Sequence, residues 1–253
     1  MKKYFLILIV CAFFVKLQMA NVSLANFDKN YKVFEANTTE EARKNIEDKK
    51  NILFIVDFSN SMNEPMEGTT KLQLAIKTMK ELLAKIPDNV NVGLRIYGHS
   101  SGFTYLMGCT SSKLFVPLGT GNREQIIASL GKVNAVGWTP ITYSLKQAVH
   151  KDFAGIAGHK HIILLTDGGE NCDESPCTYS IALMKTREDI SIDVIAFDLN
   201  DYEAKNQLRC TSYVTRGKFY DAKDSKELKD SLFDSLNIDK SVKGQVKVKT
   251  TPF

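Results

Sequence analysis

Residues 51–61 read Asn-Ile-Leu-Phe-Ile-Val-Asp-Phe-Ser-Asn-Ser, an apolar run that breaks abruptly into an acid and two hydroxyls. A half-buried strand alternates apolar and polar side chains, and a strand covered on both faces does not, so 51–56 predicts a strand at the centre of a sheet. A second run of this kind, 161–166, ends in Asp167-Gly168-Gly169. Outward from these two, the periods alternate. Leu72, Leu74, Ala75, Met79, Leu82 and Leu83 recur at helical spacing within 71–86. Segments 90–97, 114–118, 190–197 and 218–220 read as further strands; 124–130, 141–149, 181–186, 204–213 and 225–236 read as helices, and 103–112 as loop. Strands alternating with helices predict an α/β fold, a three-layer sandwich around a mainly parallel central sheet. Such sheets bind ligands beyond the C-terminal ends of their strands.

The ends of the sequence read differently. Lys2 and Lys3 precede an apolar run over 4–15 that is short for a bilayer span but suits an export signal, with a small-residue cleavage site after Ala25. Cys11 sits within that run, without the small residue before it that lipid attachment requires. The expected organisation is a signal peptide at 1–25, a polar arm or linker at 26–49, one domain at 50–237 and a tail at 238–253. The expected address is outside the cytoplasm: periplasm, cell surface or medium, with no transmembrane segment after signal cleavage. The whole chain of 253 residues has 33 basic and 29 acidic groups. Three of the lysines and no acid lie in 1–25, so removing the signal leaves 30 against 29, a balance that argues against nucleic acid as a partner.

The chemistry gathers at the predicted strand ends. Asp57, Ser59 and Ser61 follow the first buried strand, Asp167 follows the second, and Thr139 lies in Gly137-Trp138-Thr139-Pro140-Ile141 just before a helix. Each residue alone is an ordinary cap or turn former. Together they are two carboxylates and three hydroxyls on one edge, a hard oxygen set that suits a small divalent cation and offers nothing to zinc's preference for sulfur and nitrogen. With these residues, the chain resembles von Willebrand factor type A domains and their metal-ion-dependent adhesion site, over roughly 50–237. The stand-alone bacterial members are the better match, on Thr139-Pro140-Ile141 and Arg95-Ile96-Tyr97-Gly98-His99. The resemblance implies an antiparallel edge strand near 114–118. It implies Mg²⁺ as the cofactor, with Mn²⁺ or Ca²⁺ as alternatives, held by Ser59, Ser61 and Thr139 more directly and by Asp57 and Asp167 partly through water.

With two carboxylates the ion keeps an open position, which an Asp or Glu of a protein partner can fill. That predicts a binding domain and not an enzyme, since no base or nucleophile is placed beside the ligand set. Trp138, Asn60 and Glu170 are the candidate rim residues for the partner. The same site would equally serve an envelope assembly or chaperone-like factor. A third reading is an exported serine hydrolase: Gly98-His99-Ser100-Ser101-Gly102 matches the nucleophile elbow around Ser100. That elbow needs a helix directly after it. The only Asp between Ser100 and a following His is Asp152, with His159 or His161 at the mouth of a core strand.

Four cysteines remain after signal removal: Cys109, Cys172, Cys177 and Cys210. In the topology the resemblance implies, Cys109 and Cys172 lie in loops on the metal-bearing edge, and Cys177 opens a helix beside the one bearing Cys210. The expected disulfides are Cys109 to Cys172 and Cys177 to Cys210; a local Cys172 to Cys177 bridge is the alternative.

Overall fold

The computed structural model describes residues 51–236. The expected signal, arm and tail, with Cys11, lie outside the described residues. The first strand, β1 (Asn51–Asp57), is buried along its whole length. Its side chains feed two cores. Ile52, Phe54 and Val56 join one and Leu53 and Ile55 the other, because successive side chains on a strand point to opposite faces.

A tight ribbon of β2 (Pro65–Met66) and β3 (Thr69–Thr70) follows, turning at Glu67 and Gly68 with φ of 50° and 77°. Sequence periodicity has no means of seeing two-residue strands. Helix α1 (Lys71–Leu83) begins at Thr70, whose Oγ1 accepts the Gln73 N–H at 3.2 Å. Then come β4 (Asn91–Tyr97), the single turn α2 (Tyr105–Gly108), β5 (Ser112–Gly119), α3 (Arg123–Leu130) and α4 (Ile141–Gln147). A π turn, Ala148–Asp152, extends α4. The rest is β6 (Lys160–Thr166), α5 (Pro176–Leu183), β7 (Ile190–Phe197), α6 (Tyr202–Val214), β8 (Phe219–Ala222) and α7 (Ser225–Ser235).

The six-stranded sheet has the order β5-β4-β1-β6-β7-β8, parallel throughout except for β5, which runs antiparallel at the edge. Helices α1, α3 and α7 cover the face with Phe54; α4, α5 and α6 cover the face with Leu53. This is the three-layer α/β sandwich that the alternation predicts.

Two segments depart from the sequence reading. The helix expected at 181–186 runs instead over Pro176–Leu183. Ser175 Oγ accepts the Thr178 N–H at 3.2 Å and Pro176 supplies a preset φ, so the Ser-Pro start signal governs where the apolar spacing does not. The loop expected at 103–112 contains α2, started by Thr104 and too short to show a period.

Candidate metal centre

Asp57 closes β1 and Asp167 follows β6, its neighbour in the sheet, so parallel pairing delivers two carboxylates side by side. Both are buried, Asp57 completely. Asp57 Oδ1 accepts the Ser59 N–H at 2.6 Å and its Oδ2 accepts the Thr166 hydroxyl at 2.7 Å. Ser61 donates its hydroxyl to Asp167 Oδ1 at 2.7 Å, and Ser59 Oγ lies 3.1 Å from Ser61 Oγ. The Asp-x-Ser-x-Ser spacing thus folds back on itself through the short 3₁₀ turn Asn60–Asn63 and points three oxygen side chains at one place.

Thr139 reaches the same place by backbone stitching. The Asn60 N–H donates to Gly137 O at 3.1 Å, and the Gly137 N–H donates to Gly98 O at 2.8 Å. These contacts need glycine: Gly98 has φ +71°, and a Cβ there would meet Ser59 N at 2.5 Å, while one on Gly137 would collide with Ser100 O. The Thr139 N–H is held by Asn171 Oδ1 at 2.7 Å. All five predicted ligand residues are therefore on one edge of the sheet. Ser61 and Thr139 face a groove of about 420 Å³, lined further by Gly168, Gly169, Glu170 and the start of α6.

Sequence reasoning missed Lys71. It is the first residue of α1, nearly fully buried, and its Nζ lies 2.6 Å from Glu64 Oε2, 3.3 Å from Asp167 Oδ2 and 3.2 Å from Asp198 Oδ2. Burial works against its charge, yet these carboxylates hold its pKa well above the ordinary lysine range. One ammonium facing three carboxylates leaves the edge negative. Burial, and then repulsion from Asp167, pushes the Asp57 carboxyl up to about 7, and burial raises Asp167 as well. The neighbouring Tyr97 hydroxyl is fully buried, its pKa raised by burial and then by the charge on Asp57. Buried, mutually repelling carboxylates ringed by hydroxyl oxygens fit a divalent cation in both charge and donor chemistry. Among the described residues no three His, Cys, Asp or Glu side chains form a cage, in keeping with a set that is three-fifths hydroxyl.

The rim residues divide. Asn60 is exposed and Trp138 is 39% exposed, its ring edge-on to Tyr105 at 5.4 Å. Glu170 is half-buried and lines the groove: its carboxylate accepts the Thr142 N–H at 2.6 Å and the Cys172 N–H at 3.0 Å, capping the start of α4. Disulfides join Cys109 to Cys172 and Cys177 to Cys210, with Cα separations of 5.5 and 5.4 Å. The first ties the loop after β4 to the loop after Asp167; the second clips α5 to α6.

The acid and histidines read with the Ser100 elbow are engaged with other partners. The Asp152 carboxylate takes both Nε and Nη2 of Arg95, at 2.6 and 2.7 Å, in a buried fork. His159 bonds Ser191, His161 lies 3.2 Å from Asp193, and the Ser100 N–H donates to Ser111 Oγ. Asp201, at the end of a strand in an acid-rich stretch, accepts the Ala204 N–H and caps α6.

Comparison with known proteins agrees with this fold. The family model of the von Willebrand factor type A domain matches residues 51–234. YwmC of Bacillus subtilis (strain 168), described as an uncharacterized protein, is 26% identical over 182 residues, covering 70% of this chain and 79% of its own. A von Willebrand factor type A structure from Catenulispora acidiphila superposes with a TM-score of 0.60 at 18% identity, over 75% of this chain and 43% of that one. Proximal thread matrix protein 1 from the mussel byssus, solved with a zinc-occupied MIDAS motif, gives 0.58 at 21% identity, over 76% and 46%. The pilus adhesin SpaC from Lactobacillus rhamnosus GG gives 0.58 at 17% identity, over 75% and 30%. This chain spans less than half the length of these three solved chains. At such identities the likeness is one of fold.

Proposed function

The chain belongs to the von Willebrand factor type A domain family, and from that premise we propose that it is an exported, non-enzymatic protein-binding domain of the adhesion type. The observation that carries this reading is the meeting of Asp57 and Asp167, buried and short of positive charge, with the hydroxyls of Ser59 and Ser61 and with Thr139 at the mouth of an open groove. These five residues would hold a divalent cation, Mg²⁺ by preference, and the cation would supply an open coordination position for a carboxylate from the partner. This chain's own residues do the rest. Lys71 holds Asp167, Thr166 holds Asp57, and Asn171 holds the turn carrying Thr139. Support from relatives is of two kinds: a fold neighbour with zinc in its MIDAS motif, and another that is a pilus adhesin. No helix among the described residues is long and apolar enough to cross a membrane.

The expected outcome is that Asp57→Ala or Thr139→Ala abolishes Mg²⁺ binding in calorimetric titration while circular dichroism keeps the wild-type spectrum. Unchanged metal affinity in both variants overturns the reading. An assembly factor in the cell envelope would use the same site; capture from envelope extracts with and without EDTA separates the two, since an adhesin releases a surface ligand and an assembly factor a co-exported protein.

A further inference from the structure

Thr139 stands just before α4, a helix whose cap position is filled by Pro140 and has no side-chain hydrogen bond of its own. The N–H groups at such a start need partners from elsewhere in the fold. Here they come from the loop 167–175. Asn171 Oδ1 takes the Thr139 N–H at 2.7 Å. Glu170 takes the Thr142 N–H on one oxygen at 2.6 Å and the Cys172 N–H on the other at 3.0 Å. This loop has no helix or strand of its own, so its shape rests on ties between side chains. The covalent tie is the bond from Cys172 to Cys109, across a sequence separation of 63.

The other half of that bond bears on the same turn. Cys109 ends α2, where the Tyr105 ring meets Trp138 edge-on and a side chain on Gly108 would collide with the Trp138 indole. The Tyr105 hydroxyl donates to Asp173 at 2.7 Å, a second link between the two loops. The bond thus joins two loops that both hold residues 138–142. The neighbours of Cys177 and Cys210 bond on their own helices instead, Thr178 to Ser175 and Thr211 to Gln207. Resting on the reading of the centre as a divalent-cation site, we infer that the Cys109 to Cys172 bond sets its metal affinity through Asn171 and Glu170, and that a dithiol lowers that affinity. In the exchange the dithiol gives up two electrons and two protons. The bond between the sulfurs breaks, Cys109 and Cys172 become thiols, and the dithiol closes to its own disulfide. The freed loop then no longer fixes the Thr139 and Thr142 N–H groups, and the Thr139 hydroxyl loses its aim at the ion. Asn171 is a positioning residue, acting on the cation through Thr139.

The test titrates Mg²⁺ calorimetrically into the full chain carrying Cys177→Ser and Cys210→Ser, in which one bond remains, before and after dithiothreitol. The expected result is an affinity loss of about 10–100-fold that reoxidation restores, with an unchanged far-ultraviolet dichroism spectrum. Cys109→Ser with Cys172→Ser, and separately Asn171→Ala with both bonds intact, should each lose affinity to a similar extent. Combining Asn171→Ala with the Cys109→Ser, Cys172→Ser pair should cost less than about twofold more, because the bond and Asn171 act as one device. Unchanged affinity on reduction, or losses that multiply in the combined variant, overturns the inference and leaves the metal reading standing. Should breaking the bond unfold the chain, Asn171→Ala decides, and wild-type affinity in that variant overturns the inference. A wild-type chain that binds no Mg²⁺ overturns the metal reading and the inference with it.

Discussion

Lys71 shows how much one residue decides at this edge. A buried lysine at the first position of a helix faces the positive end of the backbone dipole, and it is tolerated because Glu64, Asp167 and Asp198 surround it. Glu64 makes the shortest contact but is largely exposed, so solvent screens it; the Asp167 side chain is fully buried and its attraction to the ammonium is screened less. Lys71→Met should lower metal-free stability by about 2–4 kcal/mol, since it leaves a buried carboxylate without its partner. Mg²⁺ should then raise the melting temperature of the variant more than that of the wild type, because the cation stabilises only the folded form. Equal shifts in differential scanning calorimetry contradict that role. Arg95 and Asp152 form the other buried pair, with both side chains under 5% exposed. Arg95→Met alone should cost about 3–5 kcal/mol in urea unfolding, whereas Arg95→Met with Asp152→Leu should recover most of that loss.

Between elements, the separations of chemistry along the sequence close by pairing and clipping. Strand β6 pairs with β1 in register, Ile55 opposite Leu164, and this brings Asp167 beside Asp57 across 110 residues of sequence. The Cys177 to Cys210 bond spans 33 residues and joins α5 to α6, two helices that line the groove. Replacing both cysteines by Ser should lower stability by about 3–4 kcal/mol by chain-entropy reasoning, read as a lower denaturation midpoint. Peptide mapping without reductant should recover Cys177 linked to Cys210 and Cys109 linked to Cys172; a Cys172 to Cys177 fragment contradicts both. The long strands and the helices with wide apolar faces were legible because burial imposes a period. Helix α5 was read late in the chain by several residues, since its start is set by Ser175 and Pro176 and not by apolar spacing. The ribbon at 65–70 and the single turn α2 were not legible at all, being shorter than any period.

At the scale of the domain, the two cores lie on opposite faces of one sheet, whose edge carries the candidate site. Phe54 is buried at 1% in the core beneath α1 and α7. Phe54→Ala should cost about 3–5 kcal/mol, a large part of the 5–15 kcal/mol that stabilises a typical domain. Its metal-free form should melt far below the wild type in differential scanning calorimetry. The sequence by itself determined the α/β architecture, the central strands and the gathering of five oxygen-bearing residues at one sheet edge, because burial on both faces and placement at strand ends leave patterns that are local in the chain. Only the tertiary structure decided that Lys71 is the buried counter-ion, that Glu170 caps α4, and that Phe103, Leu106 and Met107 stand in solvent. Each of these depends on which distant segments the fold brings within a few ångströms, and charge neutralisation, capping and exposure are properties of those neighbours, not of the residue's place in the chain.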